Sequence, residues 1–400
     1  MPKLLQINVS ANWGSTGRIA EQINQTAMAK GWECWIAYSR CANASESELI
    51  QIGKKKDVLW AVVETRLLDK AGLSMRRATK DLIRQIKEIQ PDVVHLHNIH
   101  GYVLNFEILF EYLNKTDIKV VWTFHDFWAM TGHCAHFVDV DCIKWKNGCH
   151  HCPKRKSYPS SLTDFSVRNY ALKKRLFTES KNLHVVAVSE WVAGYVRKSF
   201  FKDKDLRVIY NGVDLQMFKP TKGFTHPHIK TEDFIILAVA SKWTKYGKGL
   251  QDYISLSKLL AKDEKIVLVG INKELAANLP NNVISISRTN SQEELAAIYT
   301  RANVVTSFSP AETFGMTIVE GYACGTPAVV YDNTAPPSLI SPQTGYVVPN
   351  KDYISAYRTI QGIKKRTKEF YSEMCIQLAQ MRYDKNRCFK QYIELYEELS

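Results

Sequence analysis

The stretch from Ser307 to Pro327, SFSPAETFGMTIVEGYACGTP, constrains this chain more than any other part of it. A strand-like apolar run leads into it. The pattern then predicts a short loop, a helix that opens near Met316, a glycine stop at Gly325, and a second buried strand. Amides at a helix start point outward with the positive end of the helix dipole, so a phosphate fits there. Gly315 would let a ligand approach the backbone closely.

Two carboxylates bracket this turn. Glu312 lies before it and Glu320 lies in the helix, with seven residues between them. Carboxylates accept hydrogen bonds from hydroxyl groups, so the pair suits a ligand with sugar hydroxyls on either side of a phosphate. The stretch therefore predicts a nucleotide-sugar site. The alternative is an ordinary crossover helix with two solvated glutamates.

The sequence ETFGMTIVEGYACGTPAVV resembles the donor-site signature of the retaining glycosyltransferase family 4. The resemblance implies an α/β protein of the GT-B fold, with two Rossmann-like domains facing across a cleft. It implies an acceptor domain at 1–215, with a cysteine-rich insertion at 130–160, and a nucleotide-sugar domain at 216–385. A terminal helix at 386–400 would cross back to the first domain. The implied activity is transfer of a sugar, with retention, from a nucleotide diphosphate to an acceptor hydroxyl.

The same resemblance assigns roles to individual residues. Glu312 would bind donor sugar hydroxyls at the catalytic centre, beside His125 in the strand end VVWTFHD, and Glu320 would bind the ribose. The expected donor-binding residues are Gly14, Gly17, Lys242, Lys248, Phe314, Gly315, Met316, Thr317 and Glu320. Lys242 stands where the family usually has arginine. Whether Lys242 or Lys245 partners Lys248 on the diphosphate stays open at this point.

Polar side chains follow the carboxyl ends of other predicted strands. Ligands of open α/β sheets collect at these ends, which places the acceptor side there. The candidates are His97, Asn98, His100, Asp126 and Ser189. The alternative for each histidine is a structural role in the core.

Four cysteines fall close together, with the spacing Cys134-x7-Cys142-x6-Cys149-x2-Cys152. Thiolates at such spacing suit tetrahedral zinc, and we expect a structural ion that holds a loop together. Four histidines are alternative ligands, namely His133, His136, His150 and His151. The other interpretation is a set of packed or redox-labile thiols. We expect no cofactor for catalysis, because no DxD-type carboxylate pair lies near a strand end.

The net charge is +13, and residues 1–215 carry 31 Lys and Arg against 22 Asp and Glu. Such a surface attracts anionic lipid headgroups, pyrophosphate-linked acceptors or nucleic acid. No apolar run approaches the roughly 20 residues that span a bilayer, and no signal peptide is evident. We expect a cytoplasmic protein, peripheral on the inner face of the membrane. Its expected partners are a UDP- or GDP-linked sugar and a saccharide or lipid-linked acceptor of bacterial surface-polysaccharide synthesis.

Two other functions fit part of this sequence. A GT-B epimerase or phosphorylase would share the architecture. A phosphorylase differs from a transferase in its need for phosphate, and an epimerase differs in its turnover of the donor without an acceptor. A basic, zinc-containing nucleic-acid-binding protein would leave the paired glutamates unexplained. Its aromatic residues should also alternate with the basic clusters as stacking platforms, and they do not. We therefore expect no nucleic-acid partner.

Overall fold

The computed structural model describes residues 1–245 and 247–399, which form two compact units. The first contains residues 1–210 together with the stretch from Phe389 onward, and the second contains residues 211–388. The sequence pattern placed the boundary near residue 215 and the returning segment at 386. Within the described residues, no helix is long and apolar enough to cross a membrane.

The first unit is built on a parallel seven-stranded sheet in the order β5-β3-β1-β6-β7-β8-β9, with β2 and β4 paired beside it. Its strands are β1 Lys3–Ile7, β2 Ser10–Ala11, β3 Glu33–Tyr38, β4 Cys41–Ala42, β5 Glu48–Gln51, β6 Val93–Leu96, β7 Lys119–Phe124, β8 Leu183–Ala187 and β9 Leu206–Val208. Its helices are α1 Gly14–Met28, α2 Lys55–Leu68, α3 Arg76–Ile89, α4 Phe106–Leu113, α5 Ser166–Glu179 and α6 Glu190–Val196. The central strands are buried on both faces, as parallel strands covered by helices should be.

The second unit is built on a parallel six-stranded sheet in the order β12-β11-β10-β13-β14-β15. Its strands are β10 Phe234–Val239, β11 Glu264–Val269, β12 Val283–Ile286, β13 Val304–Ser307, β14 Ala328–Asp332 and β15 Gly345–Pro349. Its helices are α7 Leu250–Ser257, α8 Lys273–Ala276, α9 Gln292–Arg301, α10 Met316–Ala323, α11 Tyr353–Arg366 and α12 Glu369–Tyr383. The strand, loop, helix and strand predicted around Met316 are β13, α10 and β14.

The last helix, α13 Lys385–Leu399, begins in the second unit and continues in the first. Its amide at Lys385 donates to Val213 O at 3.0 Å. Further along, Tyr392 and Tyr396 are buried in the first unit, where Tyr396 lies 5.7 Å from Trp32 between ring centroids. Aromatic side chains of this helix therefore complete the core of the first unit.

Several element limits differ from the sequence pattern. The segment 41–75, which the pattern leaves unassigned, contains β4, β5 and α2. The sequence pattern predicts a helix from Thr163 to Glu179, whereas α5 begins at Ser166. Before it, Asp164 Oδ1 accepts the Ser166 amide at 2.9 Å and stabilises a turn. Helix α6 ends at Val196, and residues 198–204 form turns.

Candidate functional site

The start of α10 provides the turn that the sequence predicted. Gly315 is the N-cap residue of α10. Its φ is +113°, a value that a residue with a side chain rarely adopts. An added Cβ would also lie 3.0 Å from Leu339 Cδ1. Phe314 is buried and packs against Tyr383, and the amides of Met316 and Thr317 belong to the first helical turn. Such amides have no partner inside the helix, which leaves them suited to an anion.

Lys248 reaches this turn from a neighbouring loop. Its Nζ lies 2.5 Å from Glu312 Oε1, and both side chains are only partly exposed. Gly249 follows with φ +76°, and a Cβ there would lie 2.4 Å from Phe308 O, so this loop must pass close to β13. The structure thus brings together the lysine and the glutamate that the sequence assigned to the diphosphate and to the donor sugar.

Glu320 lies on α10, one turn after its start. Its Oε2 accepts a hydrogen bond from Tyr299 OH at 2.8 Å, and Tyr299 is completely buried at the end of α9. Burial and the Glu320 carboxylate hold the pKa of Tyr299 well above its ordinary value, so the phenol stays a donor. This contact fixes the direction of the carboxylate before any ligand arrives.

Lys242 and Lys245 both lie exposed in the loop after β10. Gln251 Nε2 donates to Lys245 O at 3.1 Å, which ties the loop to the first turn of α7. This geometry does not decide which of the two lysines partners Lys248.

The glycine turn after β1 has two different constraints. Gly14 opens α1 with φ +67°, whereas a Cβ on Gly17 would lie 2.8 Å from Ser10 Oγ. The Asn12 amide donates to Gly17 O at 3.1 Å. Both glycines are therefore needed to fold the turn tightly, whether or not a ligand approaches it.

His97 and His125 form a buried pair in the first unit. His97 Nδ1 lies 3.0 Å from His125 Nε2, and His97 Nε2 lies 2.5 Å from Gln6 Oε1. Gln6 Nε2 donates to Ala20 O at 2.6 Å, which orients its amide so that Oε1 accepts from His97. Neutral His97 then has an unprotonated Nδ1, and His125 must be protonated at Nε2. Gln6 consequently sets the tautomers of both rings.

Burial keeps these rings neutral. It lowers the pKa of His97 well below 6.5, together with the neighbouring His95 and His125. Burial also lowers the pKa of His125 to about 4, although Asp126 acts in the other direction. At neutral pH, His97 and His125 can therefore form hydrogen bonds but carry no charge.

A third histidine extends this network away from the surface. His95 Nδ1 lies 2.6 Å from Tyr396 OH on α13, and His95 Nε2 lies 2.8 Å from Thr123 Oγ1. Its ring centroid lies 4.1 Å from that of His97. Helix α13 thus supports the histidine pair from behind.

A cavity of about 330 Å³ lies next to the pair in the first unit. Its lining includes Asn98, His100 and Asp126, three of the residues assigned to the acceptor side, together with Arg40 and Tyr158. His100 Nε2 lies 2.7 Å from Asp126 Oδ2. Burial alone would raise the pKa of Asp126. His100 and the Trp128 amide outweigh burial and lower this pKa to about 2. Asp126 therefore carries a stable negative charge beside the cavity.

Ser189 has a local structural contact. Its side chain caps α6, where Oγ accepts from the Val192 amide at 3.2 Å, and the residue is buried. A helix cap satisfies one amide that the helix itself cannot. The cavity that contains Asn98 and His100 is not lined by Ser189.

Cys134, Cys142, Cys149 and Cys152 all line one small cavity. The thiols of Cys134 and Cys152 are hydrogen-bonded to each other, which lowers the pKa of Cys152 to about 7 and raises that of Cys134. Cys149 Sγ accepts the Gly132 amide at 3.2 Å. Across residues 1–245 and 247–399, however, no group of three or more His, Cys, Asp or Glu side chains is arranged to hold a metal ion.

Sequence reasoning missed Gln6, His95, Arg40 and Tyr158. Gln6 and His95 are polar residues inside otherwise apolar strands, and that break in the pattern was a detectable signal. Arg40 and Tyr158 approach the cavity from loops far apart in the chain, for which the sequence contains no comparable signal.

Comparison with known proteins identifies this architecture. The model described as Glycosyltransferase Family 4 matches residues 16–217, and the model described as Glycosyl transferases group 1 matches residues 224–377. Sucrose-phosphate synthase from Thermosynechococcus elongatus has a TM-score of 0.73 at 16% identity, covering 100% of this chain and 99% of that one. Anabaena Alr3699/HepE in complex with UDP and glucose has a TM-score of 0.67 at 16% identity, covering 99% and 100%.

Curated relatives agree with these matches. The putative colanic acid biosynthesis glycosyl transferase WcaC of Escherichia coli (strain K12) is 24% identical over 414 residues, covering 99% of this chain and 100% of the relative. The O-antigen chain mannosyltransferase RfbU of Salmonella typhimurium is 24% identical over 224 residues, which cover 53% of this chain and 60% of the relative.

Two α/β units with parallel sheets and these structural neighbours show the GT-B fold. The chain belongs to glycosyltransferase family 4. The predicted fold class and the prediction of a glycosyltransferase are thereby confirmed.

Proposed function

We propose that this enzyme transfers a hexose, with retention, from a nucleotide diphosphate sugar to a hydroxyl of a lipid-linked oligosaccharide in bacterial polysaccharide synthesis. The observation that carries the donor half of this proposal is the cluster at the start of α10. There Lys248 pairs with Glu312 at 2.5 Å, and Tyr299 orients Glu320 at 2.8 Å. The structural relative that contains UDP and glucose and the polysaccharide-related curated relatives support the donor and the pathway class.

In this proposal each residue of the cluster has one task. Lys248, with Lys242 or Lys245, neutralises the departing diphosphate, and the α10 amides add the partial positive charge of the helix start. Glu320 accepts hydrogen bonds from the ribose. Glu312 accepts them from the donor sugar, and its present contact with Lys248 holds the carboxylate near the place where the sugar would lie. These cations make a divalent metal unnecessary for leaving-group departure, so activity should persist in a chelator.

His125 would act on the sugar as a neutral hydrogen-bonding group. Its pKa of about 4 excludes an imidazolium at neutral pH, and its tautomer follows from the contact with His97. The cavity lined by Asn98, His100 and Asp126 would accept the acceptor saccharide, with Asp126, Arg40 and Lys154 among its charged groups. Ser189, which caps α6, remains a proposed residue of the acceptor side.

Replacement of Glu320 by alanine should weaken binding of the nucleotide by about 10- to 100-fold, because one charge-assisted hydrogen bond contributes roughly 1.5–3 kcal/mol. The experiment is a calorimetric titration with UDP, GDP and ADP, using the one that binds the wild type. Tyr299→Phe should cause a smaller loss, since it removes only the group that orients Glu320.

Glu232→Ala is the matched control, because its exposed carboxylate lies in the same unit and its one ion pair within residues 1–245 and 247–399 is with Lys230, at 4.0 Å. Equal nucleotide affinity in wild type and Glu320→Ala would refute the assignment of Glu320 to the ribose. An unchanged unfolding temperature in Glu320→Ala and Tyr299→Phe would show that their loss of affinity is not a loss of the fold.

We also propose that the four cysteines hold a structural zinc ion. Their shared cavity, the contact between Cys134 and Cys152, and the amide donated to Cys149 support this proposal. The sulfur atoms do not form a ready metal site, so the loop from Gly132 to Pro153 would have to close around the ion. No step of the transfer reaction depends on it.

Protein purified with excess zinc should contain about one zinc ion per chain, as four thiolate ligands require. The double variant Cys142→Ser/Cys149→Ser should contain almost none, whereas the exposed Cys41→Ser should match the wild type. Metal content is measured by elemental analysis after dialysis. Wild-type protein that is metal-free after this treatment, with four titratable thiols in the loop, would support the packed-thiol interpretation instead.

A further inference from the structure

Helix α2 exposes an unusual set of large apolar side chains. Leu59 is 67% exposed and Trp60 64%, and Val63, Leu67 and Leu68 are exposed as well. The helix rests on the first unit through Ala61 and Thr65, which are small and buried. An amphipathic helix of a globular protein normally turns its apolar face inward. Here the apolar residues lie on the outer face.

A second segment continues this surface. Leu162 is 69% exposed and Val167 63%, and Phe165 is exposed between them. The Leu162 amide donates to Arg66 O at 2.7 Å, and Thr163 Oγ1 donates to Leu67 O at 2.8 Å. These hydrogen bonds join the segment to the end of α2. We call the combined face the α2 surface, formed by Leu59, Trp60, Val63, Leu67, Leu68, Leu162, Phe165 and Val167.

Isolated exposed apolar residues are normal, but this concentration is not. Eight of the nineteen exposed large apolar side chains in the described part of the chain belong to the α2 surface. Hydrogen bonds also hold the two segments of the α2 surface in place. Asp69, buried at the end of α2, binds His133 at 2.5 Å and accepts the Phe165 amide at 2.9 Å. The surface is therefore a formed face rather than two loose loops.

Cations border the α2 surface. Lys56 and Arg66 lie on the same side of α2 as Leu59, Trp60 and Val63, because residues three, four and seven apart share a helix face. Arg168 lies 4.7 Å over the Phe165 ring. Lys55 and Lys56 form no ion pair within the described residues. The nearby carboxylates are engaged, since Asp57 accepts the Lys54 amide and Glu64 pairs with Lys70.

We propose that the α2 surface docks the enzyme on an anionic lipid bilayer. Exposed leucines and a tryptophan between lysines and arginines are the composition of helices that lie in the membrane interface. The apolar side chains would enter the headgroup region, while Lys55, Lys56 and Arg66 would bind lipid phosphates. A protein partner would require its own acidic, apolar face, whereas an anionic bilayer meets both demands at once. The proposal extends the proposed function, since docking brings the enzyme to a lipid-linked acceptor.

The test is co-sedimentation of the purified enzyme with vesicles of phosphatidylcholine alone or with phosphatidylglycerol added, without donor or acceptor. Wild type should bind the anionic vesicles, and less so in high salt. Leu59→Ser/Trp60→Ser should lower the partition coefficient by about tenfold or more. Lys55→Glu/Lys56→Glu should lower it by at least about 20-fold, because each basic residue near such a surface contributes about fivefold.

Each variant has a matched control in the second unit. Phe370→Ser/Met381→Ser removes two side chains of similar exposure, 63% and 56%, and Lys262→Glu/Lys273→Glu makes the same charge change. Both controls should bind vesicles like wild type.

Three results would overturn the proposal: equal binding to neutral and anionic vesicles, wild-type binding by both test variants, or a dimer in light scattering that Leu59→Ser/Trp60→Ser converts to a monomer. The last result would make the α2 surface a contact between copies of this chain. Nucleotide titration of the same variants separates these failures from a failure of the donor site.

Discussion

Lys248→Ala should lower kcat/KM by about 10²- to 10³-fold, the usual cost of removing one preorganised group that stabilises developing charge. In the proposed reaction the nucleoside diphosphate leaves with an additional negative charge. Lys248 is held at the start of α10 by its ion pair with Glu312. Gly249 also lets the loop that contains Lys248 pass close to the end of β13. The position of Lys248 therefore needs no reorganisation when the bond to the sugar breaks. The assay is release of nucleoside diphosphate from the donor whose nucleotide binds the wild type.

A structural explanation for such a loss can be separated from the electrostatic one. Removing Lys248 leaves Glu312, a half-buried carboxylate, without its cation. Lys248→Ala/Glu312→Gln removes this uncompensated charge, so it should regain any stability that Lys248→Ala loses. Comparison of the two unfolding temperatures then shows whether the single variant loses activity through its fold. Lys258→Ala, at the end of the same helix α7, is the matched control and should be fully active. Turnover within about threefold of wild type in Lys248→Ala would contradict the proposed role.

Parallel variants address the second cation. Whichever of Lys242 and Lys245 contacts the diphosphate should show a loss when changed to alanine, and the other should not. Sequence alone left this choice open because the loop is longer than the family pattern, and both lysines are exposed in the structure. Neither the local pattern nor burial therefore selects one of the two.

Predictability from the sequence differed between the two units for a physical reason. In the second unit, the turn proposed to bind phosphate arises from residues close in the chain, so β13, Gly315 and α10 were predictable from periodicity and glycine placement. The contact of Tyr299 with Glu320 spans only 21 residues. Local patterns therefore contain most of the information about the donor cluster.

The first unit depends on contacts that no local pattern reports. Gln6 and His97 are 91 residues apart, and His95 and Tyr396 are 301 apart. The terminal helix was expected to return to the first domain, but its role behind the histidines follows only from packing. Helix α2 escaped prediction because its exposed leucines and tryptophan break the rule that apolar residues face inward.

The histidine network should also make the first unit sensitive to acid. Burial lowers the pKa values of His95, His97 and His125, the last to about 4. A base whose folded-state pKa lies below its unfolded value stabilises the fold while neutral, and this stabilisation is lost as pH falls below the unfolded value near 6.5. Each such histidine contributes up to about 1.4 kcal/mol per pH unit, so the free energy of unfolding should fall by about 3–4 kcal/mol between pH 6 and pH 5.

Other titrating groups do not cancel this trend. The hydrogen bond and charge of Asp69 outweigh burial and raise the pKa of His133. Protonation of His133 therefore adds to the stability of the fold as pH falls, and most of this gain occurs above pH 6. The pKa of Asp126, lowered to about 2, matters only below its ordinary value near 4. Burial lowers the pKa of Lys173 to about 7, which adds to stability only as pH rises above 7. Burial also lowers the pKa of His226, which lies in the second unit and acts in the same direction. In the first unit, the window between pH 6 and pH 5 therefore reports on the histidine network.

Urea unfolding followed by tryptophan fluorescence measures this directly, because eight of the nine tryptophans lie in residues 1–210. His97→Gln should reduce the pH slope by about one third, since one of three histidines is removed while a hydrogen-bonding side chain remains. His184→Gln makes the same substitution at a partly exposed histidine paired with Asp205 and is the matched control. A wild-type free energy of unfolding that stays constant from pH 6 to pH 5 would mean that the buried histidines gain protons without loss of the fold. The neutral hydrogen-bonding role of His125 would then fail together with the stability prediction, because both require a buried pair that stays uncharged.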